Sequence, residues 1–250
     1  MSAPEPIAEL IAGLTARVRP VDGECEKHGA ATMLTREGLP WHCPACIELD
    51  KSHEFQKQAA AERHAHLHSI ADIPSRYRGQ RFISHCAEHK EVRAMVSAFR
   101  DFIVAEPRWA ALILTGVPGT GKTQLACEFA ESYINRLGRS VRYITAKSMI
   151  AEVQSSYNAE GKSERGEIER FVQYDLLILD EIDAISSKDN AALLLTEIVN
   201  RRYGENKPVI AITNQQLDPL RKFVGDRVHD RLMENSFICL FDWQSFRRAG

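Results

Sequence analysis

One segment, Gly116-Val117-Pro118-Gly119-Thr120-Gly121-Lys122-Thr123, constrains this chain more than any other. It follows the apolar run WAALIL and precedes a stretch, 122–137, that reads as a helix stopped by Gly138. Glycines at such a junction let successive backbone N–H groups turn inward onto phosphate oxygens. The adjoining helix N-terminus adds a dipole that favours anions. In the pattern G-x-x-x-x-G-K-[ST], the lysine reaches the β- and γ-phosphates and the hydroxyl meets Mg²⁺. Lys122 and Thr123 hold those positions, and Gln124 completes the expected nucleotide-binding set.

Around this loop the pattern alternates between helix and strand. Helical spacing covers 88–105 and 190–203, and apolar runs at 110–115, 141–145, 175–180, 208–213 and 237–241 read as strands. Runs that are apolar throughout fit strands covered on both faces, so the expected class is α/β with a parallel sheet. The run DLLILD ends in Asp180-Glu181. Ligands of open α/β sheets bind at the C-terminal ends of the strands. Asp180 is therefore expected to hold Mg²⁺, Glu181 to polarise the attacking water, and Asn214, after the fourth strand, to orient it.

The first 70 residues differ from the rest. They carry six of the nine histidines, three of the six cysteines and no clear strand. Cys25, His28, Cys43 and Cys46 form C-x₂-H-x₁₄-C-x₂-C, two chelating pairs that can close a tetrahedron around structural Zn²⁺. His42 could compete with His28 but breaks the paired spacing. His64 and His68 share a helix face and read as solvated polar positions. Cys127 and Cys239 read as small core residues, and Cys86 has no partner at metal spacing. The stretch IPSRYRGQRF (73–82) then interleaves Arg76, Arg78 and Arg81 with Tyr77 and Phe82. Such a segment can hold phosphates, pack the base of a nucleotide, or merely tack a linker onto the next domain. The division expected is a zinc-binding, partner-binding domain over 1–72, a basic-aromatic linker over 73–87 and a nucleotide-binding domain over 88–250.

Net charge excludes a bulk polycation that coats nucleic acid, since 32 Lys and Arg face 34 Asp and Glu. The chain opens with acidic residues where a secretory signal is basic, and its apolar runs are too short to span a bilayer. A cytoplasmic, membrane-free protein is expected.

IPSRYRGQRF, GVPGTGKT, LLILDEID, ITNQ and the tail GDRVHDRLMENSFICLFDWQSFR together resemble AAA+ ATPases of the DnaC-type helicase loader family, related to IstB-type transposition helpers. The resemblance covers about 73–247 and implies an AAA+ P-loop fold without a helical lid. It implies ATP and Mg²⁺ as cofactors and Gly116–Gln124 as the ATP site. It also implies that Arg231, with Arg227 as its alternate, acts on ATP held by a neighbouring subunit, and that Arg247 senses ATP in its own subunit. The two helical patterns between 146 and 174 resemble the insertion that lines up related ATPases around single-stranded DNA, with Lys147, Tyr157 and Lys162 as candidate contacts. By its position the zinc domain is where loaders hold their helicase, although its metal departs from the best-known loaders.

The expected function is ATP-dependent loading of a DnaB-type hexameric replicative helicase onto single-stranded DNA in replication, for a phage or prophage replicon. Partners are then that helicase, single-stranded DNA, and further copies of this chain in a ring or helical oligomer. Two alternatives stand beside it. One is an IstB-like transposition helper on duplex DNA. The other is a nucleotide-gated DNA- or protein-binding module with little hydrolysis.

Overall fold

The computed structural model describes residues 18–36, 43–82, 87–156, 163–185 and 190–246. Tyr157, Lys162 and Arg247, with His42 and Cys86, lie outside them. The chain divides into two compact units, Met1–Arg63 and His64–Gly250.

In the first unit, β1 (Val18–Cys25) and β2 (Gly29–Arg36) pair antiparallel, with Cys25 opposite Gly29. Sequence alone predicts no strand here, because Pro20, Gly23 and the polar residues of VRPVDGEC and GAATMLTR mask the two-residue alternation by which a half-buried strand is recognised. Helix α1 (Pro44–Ala71) follows. Its residues Leu67 and Ala71 are buried in the second unit's core, so the division falls inside this helix.

The second unit is built on a five-stranded, wholly parallel sheet in the order β4-β5-β6-β3-β7. In chain order its elements are α2 (Ala87–Ala105), β3 (Ala111–Gly116), α3 (Lys122–Leu137), β4 (Val141–Thr145), α4 (Ala146–Ser155) and α5 (Glu164–Gln173). There follow β5 (Leu176–Asp180), α6 (Asn190–Gly204), β6 (Val209–Ile212), α7 (Leu217–Val224), α8 (Asp226–Met233) and β7 (Ser236–Phe241). Alternate residues serve opposite faces. Ile113, Leu177 and Leu179 pack with Met149, Phe171, Leu195 and Val228 from α4, α5, α6 and α8. Leu112, Leu114, Leu176 and Ile178 pack with Phe99, Leu125, Phe129 and Ile134 from α2 and α3. With both faces buried, apolar residues at every position are what the sheet requires. Because β3 lies between β6 and β7 while the chain continues from it to β4 at the far edge, the C-terminal ends of the strands form a crevice beside β3.

Arg202 on α6 is fully buried and donates to the carbonyls of Phe171 (2.7 Å), Val172 (3.2 Å), Tyr174 (2.9 Å) and Pro208 (2.8 Å). It thereby satisfies the C-terminal carbonyls of α5, where the helix dipole favours a cation. Burial lowers its guanidinium to about 9, which leaves it charged at neutral pH. Since that lies below the unfolded value, the charge itself opposes folding there, and the four hydrogen bonds offset the cost. Arg202→Ala is expected to cost about 4 kcal/mol, because several buried acceptors lose their donor at once. Arg202→Lys should retain part of this. Urea midpoints check it, and an unchanged midpoint for the alanine variant would contradict the assignment.

Candidate functional site

The loop after β3 is held in place from behind. Gly116 (φ +125°) lies so close to the chain at Phe241 that an added Cβ would collide with that carbonyl oxygen. Gly121 (φ +96°) faces the ring of Phe82, and a Cβ there would lie 2.9 Å from it. Neither position has room for a side chain, and the first could not take one without breaking β7 from β3. Val117 N–H donates to Phe241 O (2.8 Å), the Trp243 indole N–H to Thr120 O (3.2 Å), and Phe246 N–H to Gly119 O (2.9 Å). The strand and tail that end the described chain thus grip three residues of the loop.

In front of the loop lies a cleft of about 450 Å³, lined by Gly119, Lys122, Thr123, Asp180, Glu181 and Asn214 among others. These expected site residues come together from three separate strand ends. Lys122, almost fully buried, donates through Nζ to Gly116 O (2.7 Å) and Val117 O (2.8 Å). The Thr123 hydroxyl donates to Asp180 Oδ2 (2.9 Å), so the two expected Mg²⁺ groups already touch. Glu181 is exposed and left-handed (φ 51°, ψ 44°), an uncommon conformation for a non-glycine residue that is found at functional sites. Its N–H donates to Asp180 Oδ1 (2.8 Å). Pro118 and Gln124 line the same cleft, while Val117 and Thr120 shape the loop without lining it. Gln124 also donates to Arg81 O (2.9 Å).

Of the basic-aromatic stretch, Arg76 and Tyr77 line the cleft. Phe82 does not. It is buried behind the loop beside Phe241 and Trp243, with its backbone N–H on Glu128 (2.7 Å) and its carbonyl on Arg93. Of the alternatives open to this stretch, Phe82 takes that of tacking it onto the nucleotide-binding domain, where it supports the phosphate loop from behind. Four cleft residues escape sequence reading, Tyr143, Thr145, Ile212 and Phe246. Tyr143, on β4, donates to Asp180 Oδ2 (2.7 Å), and Phe246 borders the loop. An aromatic residue within a strand otherwise reads as core, so no sequence signal separates Tyr143 from its neighbours.

Arg227 and Arg231, on α8, are not among the residues lining the cleft of their own chain. They border a shallow depression with Asn200 and Asp230. The Arg231 guanidinium stacks on the Tyr203 ring at 3.9 Å and lies 3.9 Å from Glu234. Lys147 is exposed at the start of α4. His64, exposed as expected, and His68, half-buried, both reach Asn135 Oδ1 (2.8 and 2.7 Å), so these polar positions also link α1 to α3. Cys127 and Cys239 are buried core thiols, as expected, and burial pushes each up to about 12.

In the first unit, the hairpin turn and the start of α1 bring four ligand atoms within 4.8 Å of one another: Sγ of Cys25, Cys43 and Cys46, and a ring nitrogen of His28. Cys25 and Cys46 sulfurs are 3.7 Å apart, and His28 Nδ1 is 3.5–3.6 Å from all three sulfurs. A tetrahedron with Zn–S of about 2.3 Å and Zn–N of about 2.0–2.1 Å has edges of about 3.8 and 3.5 Å, so the residues fit that metal. Backbone N–H donation at Lys27 and the His28 side chain hold the Cys25 thiol down to about 6, while its proximity to Cys25 pushes Cys46 up to about 11. A divalent cation at the centre relieves that opposition by stabilising every thiolate together.

Residues 55–249 match the sequence family described as IstB-like ATP binding protein. The replicative helicase loader DnaC of Escherichia coli K12 is 32% identical over 139 residues, covering 55% of this chain and 56% of that protein. DnaC of Buchnera aphidicola subsp. Baizongia pistaciae is 27% identical over 170 residues, covering 67% and 69%. The chain thus spans little more than half the length of the Escherichia coli relative it matches. Among solved structures, the DnaC helicase loader superposes with a TM-score of 0.59 at 19% identity, covering 68% of this chain and all of that one. The replication initiator DnaA bound to AMPPCP and single-stranded DNA gives 0.58 at 20% identity, covering 69% and 52%. These likenesses establish an AAA+ fold for the sheet and its helices. No helix among the described residues is long and apolar enough to cross a membrane.

Proposed function

The chain belongs to the IstB-like ATP binding protein family, and on that premise we propose that it is a DnaC-type ATPase that loads a hexameric replicative helicase onto single-stranded DNA. The observation that carries the reading is the convergence of Lys122, Thr123, Asp180, Glu181 and Asn214 in one cleft, in a chain 32% identical to a helicase loader over the matched region.

In this mechanism Lys122 exchanges its two loop carbonyls for the β- and γ-phosphates, and the loop N–H groups take the remaining phosphate oxygens. Thr123 and Asp180 hold Mg²⁺, which neutralises charge on the phosphates. Glu181 and Asn214 orient the attacking water. Arg231 reaches the ATP of an adjacent copy, so that ATP orders copies into a ring or helix, and Arg247 senses ATP in its own subunit. Contact with the single strand is assigned to Lys147, Tyr157 and Lys162. Residues 1–72, organised on Zn²⁺ by Cys25, His28, Cys43 and Cys46, contact the helicase, with 73–87 as the linker to the ATPase domain over 88–250.

Lys122→Ala is expected to weaken ATP binding about 100-fold, the cost of losing charge-assisted contacts to two phosphates. A fluorescent-nucleotide titration checks it, and unaltered affinity would remove the cleft from the mechanism.

The family description also favours a second reading, an IstB-like transposition helper that acts on duplex DNA. Binding of single-stranded and duplex oligonucleotides of equal length, with ATP and at stated salt, separates the two. Preference for the single strand supports the loader, and preference for duplex favours the helper.

A further inference from the structure

We propose that Tyr143 is a positioning residue for the metal-bound nucleotide, setting Mg²⁺ affinity by holding the Asp180 carboxylate in its working orientation. The inference deepens the ATPase reading and rests on it.

Strand register brings the two residues together. On β4 and β5, Tyr143 lies opposite Ile178, two residues before Asp180, and both side chains therefore emerge on the face covered by α3. There the Asp180 carboxylate is met by three protein donors. The Tyr143 hydroxyl (2.7 Å) and the Thr123 hydroxyl (2.9 Å) share Oδ2, and the Glu181 N–H (2.8 Å) takes Oδ1. A carboxylate offers about four lone-pair positions, so little freedom is left to it. Thr123 has a second task as the expected metal ligand. Tyr143 has none, and it is the side chain that keeps Oδ2 aimed while Thr123 turns toward the cation. Outer partners that orient a metal's carboxylate ligand typically tune affinity 10- to 100-fold.

The test is a Mg²⁺ titration of fluorescent ATP-analogue binding to the full chain, comparing the unaltered protein, Tyr143→Phe and Asp180→Asn. Tyr143→Phe keeps the ring and loses only the hydroxyl. It should raise the Mg²⁺ concentration needed for half-maximal effect about tenfold or more. Nucleotide affinity should fall far more with Mg²⁺ present than without it, a split that a merely structural role would not produce. Asp180→Asn should remove the Mg²⁺ dependence. If the unaltered protein binds nucleotide with no Mg²⁺ dependence, the ATPase reading itself fails. If it does depend on Mg²⁺ and the Tyr143→Phe curve superimposes on it, the assignment of Tyr143 alone is overturned. A drop in metal-free affinity equal to the loss with metal also overturns it, by marking the hydroxyl as part of the packing.

Discussion

Arg231→Ala is expected to bind ATP within a fewfold of the unaltered protein and to turn it over about 10³-fold more slowly once assembled. An arginine delivered across a subunit boundary neutralises charge that develops on the transferred phosphoryl group, which is worth about 10³–10⁵ in rate. The surroundings of Arg231 suit that task. It is absent from the lining of its own cleft, yet its guanidinium is held on the Tyr203 ring, with Glu234 nearby, instead of sweeping freely through solvent. Its backbone is pinned too, since the Trp109 indole N–H donates to Arg231 O (2.9 Å). Rate constants measured across protein concentration check the first part. Mixing checks the second. Lys122→Ala keeps its arginine and Arg231→Ala keeps its ATP site, so two nearly inactive proteins should recover activity together. Normal turnover by Arg231→Ala would move the role to Arg227, and a mixture that stays inactive would contradict action between copies.

Removing the metal should have the other large effect. Stripping zinc with a strong chelator is expected to unfold the hairpin of β1 and β2 while the parallel sheet and its nucleotide affinity persist. In small zinc domains the metal supplies on the order of 10–16 kcal/mol of apparent folding free energy. The described part of this unit has little else to replace it. Its strands are rich in small and polar residues, and the long helix that follows is exposed along residues 48–66. Hydrogen exchange resolved by segment reads the outcome, with metal content counted by mass. Cys43→Ser, which removes a buried ligand at the start of α1, should reproduce the chelator's effect. Protection of residues 18–36 that is equal with and without metal would show that the cluster is not a fold nucleus.

Legibility in the sequence followed how local each constraint is. The phosphate loop was readable because its chemistry fixes residue types at adjacent positions, and α3 and β4 fall at 122–137 and 141–145, as expected. Asp180 and Glu181 were readable because a carboxylate ends an apolar strand. The Cys and His cluster is legible from spacing, whereas the hairpin that carries Cys25 and His28 is not. A metal can hold strands together with no apolar alternation to announce them. Strand order was also out of reach, since nothing near β7 states that it pairs with β3. Consequently the clasp of Phe241, Trp243 and Phe246 on the loop could not be foreseen, nor could the burial of Phe82 behind it. Tyr143 belongs to the same class. Its role arises from the register of β4 on β5, a relation between residues 37 apart in sequence.

Native mass spectrometry of the full chain mixed with its host's replicative helicase, with and without ATP, tests the loading function. A defined complex of this protein with a helicase hexamer is expected, with one zinc ion per chain and a stoichiometry that changes with ATP. A folded, zinc-loaded protein that binds ATP but forms no complex with the helicase would contradict it.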